Sequence, residues 1–215
     1  MDATLHTITQ VEALKRPRGY CAVYVDGDRA LQAHRDSVAA AGLRPGDRLD
    51  SDALQRKLDA VYEAETFRQA LDALAGRDRT VTELRRRLAA RQLPQPTIAT
   101  VLERLRDKGL LDDRRYAREY VKTQGARRGL GPAALRAKLA QLGMASSVVD
   151  EALSEELPDG RQESIAQALA RQRLARLRSA DPRDVRPRLY QFVVRRGFDP
   201  DLAARVVDGV LTDDD

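Results

Sequence analysis

Leu84, Leu88, Leu93, Ile98 and Leu102 follow one another at intervals of 4, 5, 5 and 4 residues. Leu135, Leu139, Met144, Val149 and Leu153 repeat the same intervals 51 residues later. Val185, Leu189, Phe198, Ala203 and Val207 do so again, with one extra helical turn between Leu189 and Phe198. Apolar positions four apart share one face of an α-helix, and the five-residue steps leave room for a tight turn. Each copy therefore predicts two short amphipathic helices joined by a turn. A period near fifty residues predicts stacked helical repeats rather than one compact enzyme fold. Such stacks build long surfaces, which suit polymers and filaments.

The first fifty residues read differently. Residues 4–11 alternate β-favouring side chains, and residues 20–25 and 30–34 do the same around Asp26-Gly27-Asp28, a hairpin turn. Leu43 to Asp47 reads as a loop, after which Asp50 or Ser51 caps a helix from about Asp52 to Ala75. Leu54, Leu58, Val61, Leu71 and Leu74 supply its expected buried stripe, and Gly76 stops it.

Helix boundaries in the repeats are written in caps and breakers. Thr80-Val81-Thr82-Glu83 is a capping box. Pro94 and Pro96 separate that helix from the next, which is expected from about Thr97 to Lys108 with Gly109 at its end. Asp112-Asp113 caps a long helix with Tyr116, Ala117 and Tyr120 inward, Gly129 and Gly131-Pro132 start the following one, and Gly143 ends it. The third repeat opens near Gln162, after Pro158-Asp159-Gly160. Its middle helix meets Pro187, where an interior proline would kink or delay it. Asp213-Asp214-Asp215 reads as a disordered tail. The expected fold class is mainly α: tandem three-helix repeats forming an elongated crescent, with a small β-rich N-terminal unit. The expected segments are 1–50, 51–111, 112–160 and 161–215.

Composition narrows the setting. No apolar run approaches the roughly 18 residues that a membrane span requires, and Met1-Asp2-Ala3-Thr4 lacks the basic and apolar regions of a secretory signal. One cysteine makes no internal disulfide, which fits the cytoplasm. Cys21 lies in an alternating strand and reads as an inert, buried residue. The net charge of +5 is unevenly spread. Residues 1–76 carry 10 basic and 12 acidic residues, net −2, and residues 146–215 carry 11 and 14, net −3. Residues 77–145 carry 17 basic and 7 acidic, net +10. Arg outnumbers Lys 33 to 5, a bias that explains the choice of cation but not its clustering. The block favours polyanions or an acidic protein surface.

With Leu84 and Leu88 inward, Arg86 points outward and Arg85 and Arg87 flank the core. The repeat alignment places Arg136 and Arg186 at the Arg85 position, and Lys138 and Arg188 at the Arg87 position. Arg127-Arg128 and Arg195-Arg196 add charge just before the turn glycines Gly129 and Gly197. These eleven residues are the candidate binding set. The competing reading is that Arg and Lys are good helix formers whose stems cover apolar surface. Recurrence in the same two slots of all three repeats favours binding.

No catalytic constellation emerges. His6 and His34, the two histidines, fall in expected strands. Gly125 to Gly131 carries an Arg-Arg insert between helices and makes no phosphate loop. Asp112-Asp113 directly precedes a helical stripe and reads as a cap rather than a metal pair. A non-enzymatic protein without cofactor or metal is expected.

The run Leu110-Leu111-Asp112-Asp113-Arg114-Arg115-Tyr116-Ala117-Arg118-Glu119-Tyr120-Val121 resembles the signature of the RecX family, bacterial regulators of the recombinase RecA. Arg128-Gly129-Leu130-Gly131-Pro132 and Arg195-Arg196-Gly197-Phe198 are similar to that family too, in order and spacing. The resemblance covers about residues 60–211 and, more loosely, the first fifty. It implies a monomeric crescent of three-helix repeats docked in the helical groove of the RecA–DNA filament, with single- and double-stranded DNA as further partners. It also implies suppression of RecA ATPase activity, strand exchange and filament growth. Two alternatives stand beside it: a stand-alone DNA-binding protein of trihelical type acting on DNA or transcription, and a helical scaffold whose charge keeps it soluble. A base reader would carry Asn, Gln or Arg on the outward face of one recognition helix. Basic slots that flank the core in every repeat suit backbone or acidic-surface contact better.

Overall fold

The computed structural model of the chain describes residues 4–177 and 181–213. The chain falls into two compact units, Met1–Leu111 and Asp112–Asp215.

The first unit opens on β1 (Leu5–Ala13), β2 (Tyr20–Val25) and β3 (Asp28–His34), then α1 (Arg35–Ala40), β4 (Arg48–Asp50) and α2 (Ser51–Ala75). The strands form one antiparallel sheet in the order β3-β2-β1-β4, with Val11 opposite Val23 and Cys21 opposite Ala33. Asp26 and Gly27 both take positive φ, 53° and 94°, the pair a two-residue hairpin turn needs. The Asp26 carboxylate accepts the Thr7 N–H at 2.8 Å and the His6 ring at 2.7 Å, and both hydrogen bonds hold its pKa below the usual range. Cys21 is buried, as its place in the alternation predicts, and burial raises its thiol pKa. α1 and β4, flanking the expected loop, are too short to show a period and escape sequence reading.

Asp50 caps α2, accepting the Ala53 N–H at 2.7 Å. The N-terminal half of α2 brings Leu54 and Val61 into a core with Ile8, Val23, Leu31 and Val38. Its C-terminal half brings Ala70 and Ala73 into the core of the first repeat. The predicted stripe is wrong in one respect: Leu71 is exposed, and Glu65, Thr66 and Gln69 are buried instead. The reason is a polar network. Glu65 accepts the Tyr20 hydroxyl at 3.0 Å, the His34 N–H at 3.1 Å, the Ser37 hydroxyl at 2.9 Å and the Arg68 guanidinium at 2.8 Å. Burial alone would push this carboxyl up. Hydrogen bonds from Arg68, Gln69, His34 and Ser37 outweigh that and hold its pKa at about 2. Gln69 continues the chain to Arg91, which donates to it at 2.8 Å.

The first repeat adds α3 (Val81–Ala89) and α4 (Gln95–Asp107). Thr80 and Glu83 form the reciprocal capping box. α4 starts two residues before the expected Thr97, because Pro94 serves as the N-cap and Pro96 lies in the first turn, where its missing N–H costs nothing. In the second unit, α5 (Asp113–Arg128), α6 (Pro132–Gln141) and α7 (Ser146–Glu156) make one repeat, and α8 (Asp159–Leu174), α9 (Pro182–Arg195) and α10 (Pro200–Thr212) the next. Asp112 caps α5, and Gly129 ends it at φ 59°. The triplicate apolar positions lie in the cores, with Leu84, Leu135, Leu139 and Leu189 fully enclosed.

α9 corrects the expectation at Pro187. It begins at Pro182, capped by Asp181, so Pro187 does not delay it but lies inside the continuous helix, on its exposed face. Burial of Leu189 and Val193 downstream outweighs the one missing N–H. The extra turn in the third repeat is the C-terminal end of α9, which carries Phe192 and the buried Val193 past Leu189. Of the expected tail, Asp213 caps α10 and pairs with Arg171 at 3.0 Å; residues 214 and 215 lie outside the described residues.

Candidate nucleic-acid interface

The repeat-equivalent cations are alike in position and different in electrostatics. On α3, Arg85, Arg86 and Arg87 are all exposed, and none has a partner among the described residues. Arg86 and Arg87 lie in the last turn of α3, where the helix dipole favours positive charge. On α6, Arg136 pairs with Asp150 of α7 at 2.7 Å, while Lys138 is exposed and unpartnered among the described residues. On α9, Arg186 grips both oxygens of Asp208, at 2.7 and 3.0 Å, and Arg188 pairs with Asp184 at 2.7 Å. The Arg186 hydrogen bonds lower the Asp208 pKa and raise that of Arg186 in return. Position 99, the repeat counterpart of Asp150, is alanine. Free positive charge in these slots therefore falls from the first repeat to the third.

A second group meets within the second unit. The Gly131 N–H donates to the Arg196 carbonyl at 2.8 Å, and the Ala133 N–H donates to the Gly197 carbonyl at 3.0 Å. These bonds join the second and third repeats backbone to backbone. A Cβ on Gly131 would lie 2.5 Å from the Gly197 carbonyl carbon, so glycine is required there. The runs Arg128–Pro132 and Arg195–Phe198, singled out separately in the sequence, are the two sides of this joint. Arg196 also donates to the Arg128 carbonyl at 2.7 Å, satisfying the C-terminal end of α5, and its guanidinium stands 5.1 Å from the Phe192 ring.

Beside the joint lies an open concavity of about 710 Å³, with Leu130, Ile165 and Leu169 among its lining residues and Arg127, Arg128, Lys138 and Arg196 supplying its charge. It has no carboxylate in its lining. Arg127, Arg128 and Arg195 are exposed and have no side-chain partner among the described residues. Sequence reasoning passed over Arg106 and Lys108, exposed and unpartnered near the end of α4. They belong to the basic block but have no basic counterpart in the other repeats, so repeat alignment hides them.

Among the described residues no group of three or more His, Cys, Asp or Glu side chains is placed to hold a metal ion. No described helix is long and apolar enough to cross a membrane.

Three domain models match the chain in order: "RecX, first three-helix domain" over residues 67–105, "RecX, second three-helix domain" over 112–153 and "RecX, third three-helix domain" over 162–207. Regulatory protein RecX of Levilactobacillus brevis is 32% identical over 200 residues, covering 93% of this chain and 74% of that protein. Regulatory protein RecX of Pseudomonas putida is 33% identical over 147 residues, 68% of this chain and 92% of the relative. A crystal structure of regulatory protein RecX superposes with a TM-score of 0.69 at 28% identity, over 94% of this chain and 99% of that one. RecX from Lactobacillus salivarius shares the fold, with a TM-score of 0.66 at 22% identity over 70% of this chain and 97% of its own. The domain models together match all three repeats, and the chain belongs to the RecX family of regulatory proteins.

Proposed function

We propose that this chain is a non-enzymatic regulator that binds the RecA–DNA filament in its groove and restrains RecA ATPase activity, strand exchange and filament growth. The observation that carries the reading is the division of the basic set into free and neutralised members. Arg85, Arg86 and Arg87 on the first unit, and Arg127, Arg128, Lys138 and Arg195 on the second, present uncompensated charge. Arg136, Arg186 and Arg188 spend theirs on carboxylates of their own repeats. Two separate groups of free cations suit a partner that repeats along its length, because each weak contact raises the effective concentration of the other. Exposed Arg and Lys bind phosphate oxygens and acidic surfaces without reading base sequence.

The test compares two variants of the full chain. Changing Arg85, Arg86 and Arg87 to Glu is expected to abolish inhibition of RecA's DNA-dependent ATPase while helical content stays native. Changing Arg186 and Arg188 to Gln is expected to leave inhibition within about twofold, since exposed ion pairs contribute little. Full inhibition by the first variant removes the first repeat from the interface and overturns the proposal. If naked-DNA affinity and inhibition fall by the same factor, competition for DNA explains the inhibition and the stand-alone DNA binder is the better reading.

A further inference from the structure

The β1–β2 loop carries Lys15, Arg16 and Arg18, all exposed, and none has a partner among the described residues. The net charge of −2 over residues 1–76 conceals them. Several carboxylates of the N-terminal unit are occupied elsewhere. Asp26 is bound by Thr7 and His6, Asp47 by the Arg44 N–H, Asp50 by the Ala53 N–H, and Glu65 by its buried network. Glu12, near the loop, accepts the Tyr24 hydroxyl at 3.3 Å. The tip therefore presents three cations within four residues that hydrogen bonding among the described residues leaves unanswered.

The loop is also held in place. The Leu14 N–H donates to the Tyr20 carbonyl at 2.8 Å and closes it, and the Arg35 N–H donates to the Gly19 carbonyl at 2.8 Å. Gly19 has φ +82°, and a Cβ there would lie 2.6 Å from the His34 ring, so the loop packs against β3 with no room to spare. The Tyr20 hydroxyl enters the Glu65 network, which passes through Gln69 to Arg91, just beyond α3. A loop fixed this way loses little conformational entropy on binding. The network thus links Tyr20, which follows the loop, to Arg91, which follows the helix carrying Arg85, Arg86 and Arg87.

We infer that the β1–β2 loop is a second phosphate-contacting element, in which Lys15, Arg16 and Arg18 bind the DNA backbone. This goes beyond the filament reading and does not depend on it. An acidic protein surface is the competing occupant. The loop offers little apolar surface to seat one, because Leu14 is half-buried at its base and Pro17 is flanked by charge on both sides. Phosphates need only the exposed cations.

The test is the salt dependence of DNA affinity, measured by fluorescence anisotropy on a labelled duplex and on labelled oligo-dT, with no RecA present. The protein is the full chain carrying Lys15→Gln, Arg16→Gln and Arg18→Gln. Each lost phosphate contact flattens the plot of log affinity against log salt by about 0.9 on duplex and about 0.7 on a single strand. The triple variant is expected to lose about 2 to 3 from the slope, with an unchanged circular dichroism spectrum. The single variants Arg16→Gln and Arg18→Gln should each lose about a third of that, which keeps the test open if the triple variant folds poorly. A fall on both nucleic acids, or on one alone, supports the inference and identifies the bound form. Unchanged slopes on both, while a variant with Arg85, Arg86 and Arg87 changed to Gln does flatten them, overturn it and confine DNA contact to the repeats. A variant that loses affinity for poly-glutamate but not for DNA overturns it in favour of an acidic protein partner. Because RecA is absent, failure here leaves the filament reading untouched, and the converse also holds.

Discussion

Replacing Gly131 by alanine should pry the second and third repeats apart at their backbone joint. The new Cβ would stand 2.5 Å from both the carbon and the oxygen of the Gly197 carbonyl and 2.6 Å from the Phe198 nitrogen. All three are backbone atoms, so no side-chain rotation relieves the clash. Ordinary contact requires roughly 1 Å of separation. That displacement takes the Gly131–Arg196 bond, at 2.8 Å, and the Ala133–Gly197 bond, at 3.0 Å, out of hydrogen-bonding range. Each lost bond costs about 1 kcal/mol, and more where a buried group is left without a partner; Gly131 is buried. The expected loss is about 2–4 kcal/mol, a drop in melting temperature of about 8 °C or more for a unit of this size. Thermal unfolding followed by circular dichroism at 222 nm reads it directly. Binding should weaken in parallel, since Arg127, Arg128, Lys138 and Arg196 border the concavity beside this joint. A variant that melts within about 1 °C of the parent would refute the reasoning, because it would mean the joint opens without cost.

Two further outcomes are expected. Glu65→Gln should destabilise the first unit by about 3 kcal/mol near neutral pH, the value of a carboxyl held at about 2 against an ordinary 4.5. Because the folded value is the depressed one, this stability is complete above about pH 4.5 and is lost as the pH falls towards 2. The variant's melting temperature should therefore vary less than the parent's over that window, and equal slopes would dismiss the network as its source. Gly209→Ala should stabilise the protein by about 0.5–1 kcal/mol in the same melts, since Gly209 sits exposed within α10 with nothing within 4 Å of an added Cβ; a lower melting temperature would contradict this.

Sequence alone determined what depends on neighbours along the chain. The intervals from Leu84 to Leu102, repeated from Leu135 to Leu153, identified core positions because an α-helix brings residues four apart to one face. Thr80 with Glu83, Asp112, and Gly129 marked helix ends because a cap answers backbone groups within a turn of itself. The same locality explains the misses. α1 and β4 are shorter than any readable period, and Glu65 is buried by Tyr20, His34 and Ser37, 28 to 45 residues away along the chain. Tertiary structure decided which cations remain free. Arg136 meets Asp150 and Arg186 meets Asp208 across 14 and 22 residues, and nothing at α3 itself reveals that Arg85 has no such carboxylate waiting. It also decided that Gly131 and Gly197, 66 residues apart, are two halves of one contact. Charge and close approach act through space. Periodicity and capping act along the chain, and only those two are written where a sequence can show them.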